Sequence, residues 1–153
     1  MTFRQDFFLY KKMIKYLYMK SILMFLIPKK DVEFIYDDFS LRQTLEKMEF
    51  HHYTAIPVLD RNGKYMYSIS DGDILFTIKE RKLNIKQCEH INISEVNRYR
   101  DTKSIKIDKT MIDLIELIVN QNFVPVVDDI GSFIGIITRK AVLTYLKEKL
   151  LEK

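Results

Sequence analysis

Tyr53-Thr54-Ala55-Ile56-Pro57-Val58-Leu59-Asp60 decides how this chain folds. Ala55 to Leu59 is a short apolar run, which predicts a buried strand, and Asp60-Arg61-Asn62-Gly63 closes it with a turn. Lys64 to Ile69 predicts a second strand. Ser70-Asp71-Gly72-Asp73 then opens a helix running through Ile74, Leu75 and Ile78 to the neighbourhood of Lys82.

The same phrase returns as Phe123-Val124-Pro125-Val126-Val127-Asp128, a turn at Asp129-Ile130-Gly131-Ser132, a strand from Phe133 to Ile137, and a helix start at Thr138-Arg139-Lys140-Ala141. Pro57 and Pro125 stand 68 positions apart, as do Gly63 and Gly131. Val58/Val126, Asp60/Asp128, Ile69/Ile137 and Leu75/Leu143 are identical at that offset, and Tyr65/Phe133 and Ser70/Thr138 are alike. Upstream, each copy has a strand and a helix: Val32–Tyr36 with Leu41–Phe50, then Ser104–Ile107 with Met111–Val119. The helix-to-strand joint reads as about one residue shorter in the second copy. This is an internal duplication of a β-α-β-β-α unit. It predicts two halves related by a pseudo-twofold axis, with their sheets packed together and Ile56, Val58, Ile69, Val124, Val126 and Ile137 buried.

The composition agrees with such a body. The chain has 153 residues, 47% of them hydrophobic, with ten Phe and nine Tyr to build a core. A net charge of +4, from 25 basic and 21 acidic residues, is mild. No nucleic-acid-reading motif is present, so nucleic acid is not an expected partner. The single Cys88 excludes an intramolecular disulfide and suits a reducing cytoplasm. Cys88 and His90, with His51 and His52, lack metal-ligand spacing, so no metal is expected. No nucleophile-and-base arrangement has a supporting motif, and four glycines provide no phosphate-cradling loop. Catalytic residues are therefore not assigned, and the chain does not read as an enzyme.

Residues 1–26 read as a helical extension, 27–83 as the first repeat, and 84–153 as linker and second repeat. Phe3, Phe7, Tyr10, Ile14 and Leu17 fall at helical spacing, while Lys11, Lys12, Lys15 and Lys20 break the apolar run. The longest uncharged stretch there, Ser21 to Ile27, is far short of the roughly 20 residues a membrane helix needs. The expected role is packing on the module itself or on a partner subunit; a membrane-surface anchor is the lesser reading. Pro28 to Asp31 predicts a turn. Leu41, Leu45 and Met48 make a core stripe on the first helix. Leu83 to Arg100 has no Pro or Gly, which predicts a structured crossover with a short helix capped by Ser94. Asn97-Arg98-Tyr99-Arg100-Asp101 reads as a solvated face. The last helix, Arg139 to Leu151, sets Val142, Leu143, Tyr145, Leu146 and Leu150 on an apolar side.

Each half resembles a cystathionine-beta-synthase (CBS) domain, and the pair resembles a Bateman module. The resemblance rests on Ala55-Ile56-Pro57-Val58, the Asp60–Gly63 turn, the strand Tyr65–Ile69 and the Ser70-Asp71-Gly72-Asp73 step. Phe25-Leu26-Ile27-Pro28-Lys29, Tyr36-Asp37-Asp38 and Asn122–Pro125 are similar to short stand-alone CBS proteins of Gram-positive bacteria. The implied fold is a mixed α/β (α+β) tandem CBS pair with an N-terminal amphipathic helix. The implied ligand is an adenine nucleotide: AMP, ADP, ATP or cyclic di-AMP.

The residue chemistry fits that implication. Asp73 can accept hydrogen bonds from both hydroxyls of a ribose, and Ser70 offers a hydroxyl beside the free N–H groups of a helix start, where phosphate is also favoured. Gly72 permits close approach. Tyr53, Thr54 and Ala55 can present backbone groups to an adenine edge, with Pro57 beside them. Ser70-x-x-Asp73 is equally a helix capping box that needs no ligand. In the second half Ala141 replaces the ribose-binding Asp, and Arg139 and Lys140 bring two positive charges, read either as solvent-facing or as phosphate contacts. The site near Asn122, Phe123, Val124, Thr138 and Arg139 is expected to be empty, weak or used for phosphate. The functional expectation is a regulatory nucleotide-binding module, dimeric with a second copy of itself, read by a protein effector. The alternative is an interaction module that dimerises through apolar helix faces and binds no small molecule.

Overall fold

Two backbone hydrogen bonds join the halves, and each is the image of the other under the 68-residue shift. Tyr65 N–H donates to the Gly131 carbonyl at 3.2 Å, and Phe133 N–H donates to the Gly63 carbonyl at 2.9 Å. They lie at the tips of two equivalent hairpins in a computed structural model that describes residues 3–151.

The elements are α1 (Phe3–Met19), β1 (Ile27–Pro28), β2 (Ile35–Tyr36), α2 (Leu41–His51), β3 (Ala55–Leu59), β4 (Tyr65–Ser70), α3 (Asp71–Arg81), β5 (Ile105–Lys106), α4 (Met111–Ile118), β6 (Phe123–Val127), β7 (Phe133–Thr138) and α5 (Arg139–Leu151). In the first half β2 runs parallel to β3, which pairs antiparallel with β4. The second half repeats this with β5, β6 and β7. The duplicated β-α-β-β-α unit and its pseudo-twofold relation are thus present.

The turns that end β3 and β6 are built alike. Asp60 Oδ1 accepts from the N–H groups of Asn62 and Lys64, and Asp128 Oδ1 accepts from those of Ile130 and Ser132. Gly63 and Gly131 take φ of 81° and 88°, a conformation that only glycine adopts cheaply. Helices α2, α3 and α4 start with reciprocal caps: Ser40 with Gln43, Ser70 with Asp73, Thr110 with Asp113.

Several expectations are corrected. The sheets do not merge into one core. Ile35, Leu41, Met48, Ile56, Val58 and Ile69 pack in a first cluster, and Ile105, Met111, Leu114, Val124, Val126 and Ile137 in a second. The halves meet through the hairpin tips and the Phe133 ring, whose centroid lies 6.2 Å from that of Phe34 and 6.3 Å from that of Tyr65. The helix-to-strand joint differs by two residues, since the repeat offset is 70 at Ser40/Thr110 and 68 at Ala55/Phe123. The first repeat's opening strand is confined to Ile35–Tyr36, the two residues that pair with Val58 and Leu59. The linker forms two 3-10 turns, Gln87–His90 and Ile93–Glu95, and the second is capped by Asn92 rather than Ser94, because the Asn92 carboxamide accepts the Ser94 N–H. Cys88, Ile93 and Val96 of that linker complete the first core.

The N-terminal segment belongs physically to the second half. Ile22 is fully buried in the second core, with Leu17, Phe25 and Leu26 packed against it. β1 then adds to the edge of β7, pairing Ile27 with Ile136 and Pro28 with Gly135. Of the apolar stripe on α1, Ile14 and Leu17 are half-buried, Phe7 and Tyr10 are each 55% exposed, and the Phe3 side chain lies outside the described residues. Among the described residues no helix is long and apolar enough to cross a membrane.

β1 explains where the repeat breaks. Gly135 has φ 154°, and a Cβ placed there would meet the Ile27 carbonyl oxygen at 2.1 Å. Its counterpart 68 residues earlier is Tyr67, on a strand that has no such neighbour. Gly135→Ala should therefore lower stability by about 2–3 kcal/mol, a fall in Tm of roughly 4–12 °C for a chain of this size. Gly63→Ala, which meets only the flexible end of Lys29, should cost about 1 kcal/mol for its left-handed backbone. Thermal unfolding of the two variants checks this ranking, and equal losses would refute it.

Candidate functional site

The offset of 68 places the ends of β3 and β6 and the starts of α3 and α5 at equivalent positions. The same linkage fixes both: Asp71 N–H donates to the Thr54 carbonyl at 2.9 Å, and Arg139 N–H to the Asn122 carbonyl at 2.8 Å. Both ends open into one cleft of about 1010 Å³ between the halves. Tyr53, Thr54, Ala55, Pro57, Ser70, Asp73, Asn122, Phe123, Thr138 and Arg139 all line it. Val124 does not. It is fully buried in the second core, because alternation along β6 turns it away from the face that Phe123 presents.

In the first half, Ser70 and Asp73 are more committed than their spacing alone implies. Asp73 is only 4% exposed. Its Oδ2 accepts from Ser70 N–H at 3.0 Å and from Ser70 Oγ at 2.7 Å, while Ser70 Oγ accepts from Asp73 N–H at 3.1 Å. Its Oδ1 accepts from the N–H of Tyr99 at 2.9 Å. The capping box is therefore fully formed, and the Ser70 hydroxyl is engaged in it rather than free.

Tyr99 is part of what sequence reasoning missed. Tyr99, Arg100 and Asp101 are exposed, as a solvated face requires, and together with Thr102 they also line the cleft. The Tyr99 ring meets Phe76 edge-on at 5.2 Å, and its hydroxyl donates to Glu80 at 2.7 Å, a bond that raises the Tyr99 pKa. Arg98 stacks on Tyr67 at 4.0 Å. Tyr65, its phenol pushed well above the usual range by burial, donates to the Thr102 carbonyl at 2.6 Å. Lys103 N–H donates to Gln121 Oε1 at 2.9 Å, and Gln121 Nε2 donates to the Lys103 and Phe123 carbonyls. A strap thus crosses from one half to the other along the cleft. The signal was available in the 70-residue offset, which makes Asp101 and Thr102 the counterparts of Asp31 and Val32, also in the lining.

The second half is built differently. Thr138 Oγ1 accepts from Ala141 N–H at 3.2 Å, repeating the Ser70 cap without a carboxylate. Arg139 is neither solvent-facing nor wholly free for an anion: its Nε donates to the Ile118 carbonyl at 2.7 Å and the Gln121 carbonyl at 3.1 Å, closing the C-terminus of α4. Glu33, in the cleft wall, is held below the usual carboxylate range chiefly by its bond to Lys47 at 2.7 Å. Cys88 is buried in the first core, where desolvation pushes its thiol pKa up. The cleft combines apolar walls, such as Ala55, Phe76 and Phe123, with a few placed polar groups. Its volume stands at the upper end of the range of about 300–1000 Å³ for small-molecule sites.

The CBS domain family matches this chain twice, over residues 24–80 and 93–148. The structure is similar to that of CbpB in complex with c-di-AMP, at 26% identity over 93% of each chain with a TM-score of 0.79. A hypothetical conserved protein of Geobacillus kaustophilus is 30% identical, covering 85% of this chain and 98% of its own, with a TM-score of 0.76. CbpB of Listeria monocytogenes in complex with c-di-AMP is 25% identical, covering 84% of this chain and 96% of its own, with a TM-score of 0.72. One copy of the pattern falls on each half of the fold, so this protein belongs to the CBS-domain family and is a tandem CBS pair.

Proposed function

We propose that this CBS pair is a non-catalytic regulatory module that binds an adenine nucleotide, AMP- or ATP-like or cyclic di-AMP, in the cleft between its halves. It acts as a homodimer in the cytoplasm and passes its bound state to a protein effector. One observation carries the reading: ten of the eleven candidate residues for nucleotide recognition, from separate stretches of sequence, line a single cleft of suitable size. The similar CbpB structures that hold c-di-AMP support it. The interaction-module alternative draws on the closed Ser70–Asp73 cap, which needs no ligand for its hydrogen bonds.

Calorimetry with AMP, ATP and cyclic di-AMP tests the ligand reading. At least one should bind, and Asp73→Ala should weaken it about 10- to 150-fold, the loss of a bond to a charged acceptor. Because Asp73 is also the cap, the ligand-free variant should be less stable by about 1–2 kcal/mol. A stability loss with no wild-type nucleotide binding would leave Asp73 as a cap and favour the interaction module.

The dimer rests on paired exposure. Leu75 on α3 and Leu143 on α5 are equivalent under the 68-residue shift, and they are 61% and 52% exposed. Light scattering should give a dimer for the wild type and a monomer for Leu75→Glu combined with Leu143→Glu. A monomeric wild type at tens of micromolar would overturn the assignment.

A further inference from the structure

Residues 1–20 carry a charge that the rest of the chain does not. Five basic residues, Arg4, Lys11, Lys12, Lys15 and Lys20, stand there against one acid, Asp6, and the balance of +4 equals the net charge of the whole chain. The remainder is neutral overall. Most of this charge lies on α1, which packs by one side only. Ile14 and Leu17 are half-buried, and Leu17 presses on the second core. Ile22, fully buried just beyond the helix, anchors it there. The opposite side faces solvent. Phe8, Lys12, Lys15 and Met19 follow at i, i+4, i+7 and i+11, which makes one stripe along the helix. All four are exposed, Phe8 by 70% and Met19 by 75%. Lys11, Lys12, Lys15 and Lys20 form no ion pair among the described residues. Lys11 and Lys20 rest instead on rings, 4.6 Å from the Phe7 centroid and 5.1 Å from that of Tyr16. No residue of α1 lines the cleft, and the stripe shares none with the Leu75 and Leu143 pair assigned to the dimer.

We propose that this outer side of α1 is a contact surface for an anionic lipid bilayer, on which the module lies without crossing it. The lysine heads meet lipid phosphates, while their stems and the Phe8 and Met19 side chains settle at headgroup level. Each cation held near such a surface adds attraction, which fades within a Debye length. Two protein occupants fit less well. A second copy docked by the same face would set like charge against like charge across a twofold axis. The centre of a protein-protein contact is depleted in lysine, whereas Lys12 and Lys15 occupy the middle of this stripe. At 17 residues with several cations, α1 is too short and too charged to span the hydrocarbon, so the contact is peripheral. Lipid contact at α1 requires no nucleotide, so the two readings stand or fall separately.

Co-sedimentation of the full chain with vesicles decides the matter, using phosphatidylcholine alone and phosphatidylcholine with about one third phosphatidylglycerol, at about 0.1 M and about 1 M salt. The wild type should bind the anionic vesicles at low salt and leave them at high salt. Lys12→Gln combined with Lys15→Gln should weaken that binding roughly 10- to 30-fold. Phe8→Gln combined with Met19→Gln should also weaken it, at unchanged charge. Both variants should melt at the wild-type temperature, because the side chains they change are exposed. Lys79→Gln combined with Lys86→Gln makes the same change of charge on exposed side chains away from α1, and it should bind as the wild type does. Absence of binding, equal binding to both vesicle types, or a loss in the Lys79 and Lys86 variant as large as that in the α1 lysine variant overturns the proposal. A lipid-free assembly, seen by light scattering, that breaks up in the Phe8 and Met19 variant would assign this face to a second copy and overturn it as well.

Discussion

The constraint on which the molecule depends is the pair of hydrogen bonds exchanged by the hairpin tips, Tyr65 to Gly131 and Phe133 to Gly63. Their reciprocity requires that both tips have the same shape, and that shape is set by Asp60 and Asp128 folding back on two N–H groups each. A left-handed glycine then delivers the carbonyl to the partner tip. With two cores instead of one, these bonds, the aromatic contacts at Phe133 and the strap of residues 98–103 hold the halves face to face. The cleft is a consequence: fixing the tips leaves the opposite ends of β3, β6, α3 and α5 facing each other across open space.

Much of this was legible in the sequence because a duplication constrains itself. Asp-x-x-Gly at a fixed offset, together with Ile56, Val58, Val124 and Val126, gave strands, turns and core with few alternatives. The features that escaped are those in which the halves differ. Gly135 reads as a gap in an apolar strand until β1 is found lying against it, and β1 comes from a distant part of the chain whose pairing partner no local pattern names. The two-residue difference at the helix-to-strand joint is hidden because helix length trades against loop length without disturbing either apolar stripe.

The candidate site was legible as a cleft lining and not by its bonds. Ten of the eleven candidate positions line the cleft, and Val124 is turned into the core by strand alternation. The strap at 98–103 left only the 70-residue offset as a signal, for a different reason. Its contacts run through backbone groups, as in Tyr99 N–H to Asp73 and the Tyr65 hydroxyl to the Thr102 carbonyl, and backbone donors and acceptors leave no trace in side-chain type. Arg98 and Arg100 are exposed, as their sequence reads, and what nothing local says is that Tyr67 lies beneath Arg98.

Asp73 ties these strands together. An ionised carboxylate offers about four acceptor positions, and three are already used by Ser70 and Tyr99. A ribose diol brings two donors, so on the nucleotide reading one existing bond must yield. The two Ser70 bonds belong to the cap of α3 and are local to it, whereas the Tyr99 bond joins the helix to the strap. Exchange of that bond for a ribose hydroxyl keeps the carboxylate satisfied and the helix capped, and it frees the strap where it leaves the first half. The strap's other end is held by Gln121, beside Phe123 in the second half. Occupancy of the cleft and the position of the strap are then linked in both directions, since any shift that tightens Tyr99 on Asp73 weakens ribose binding by the same free energy.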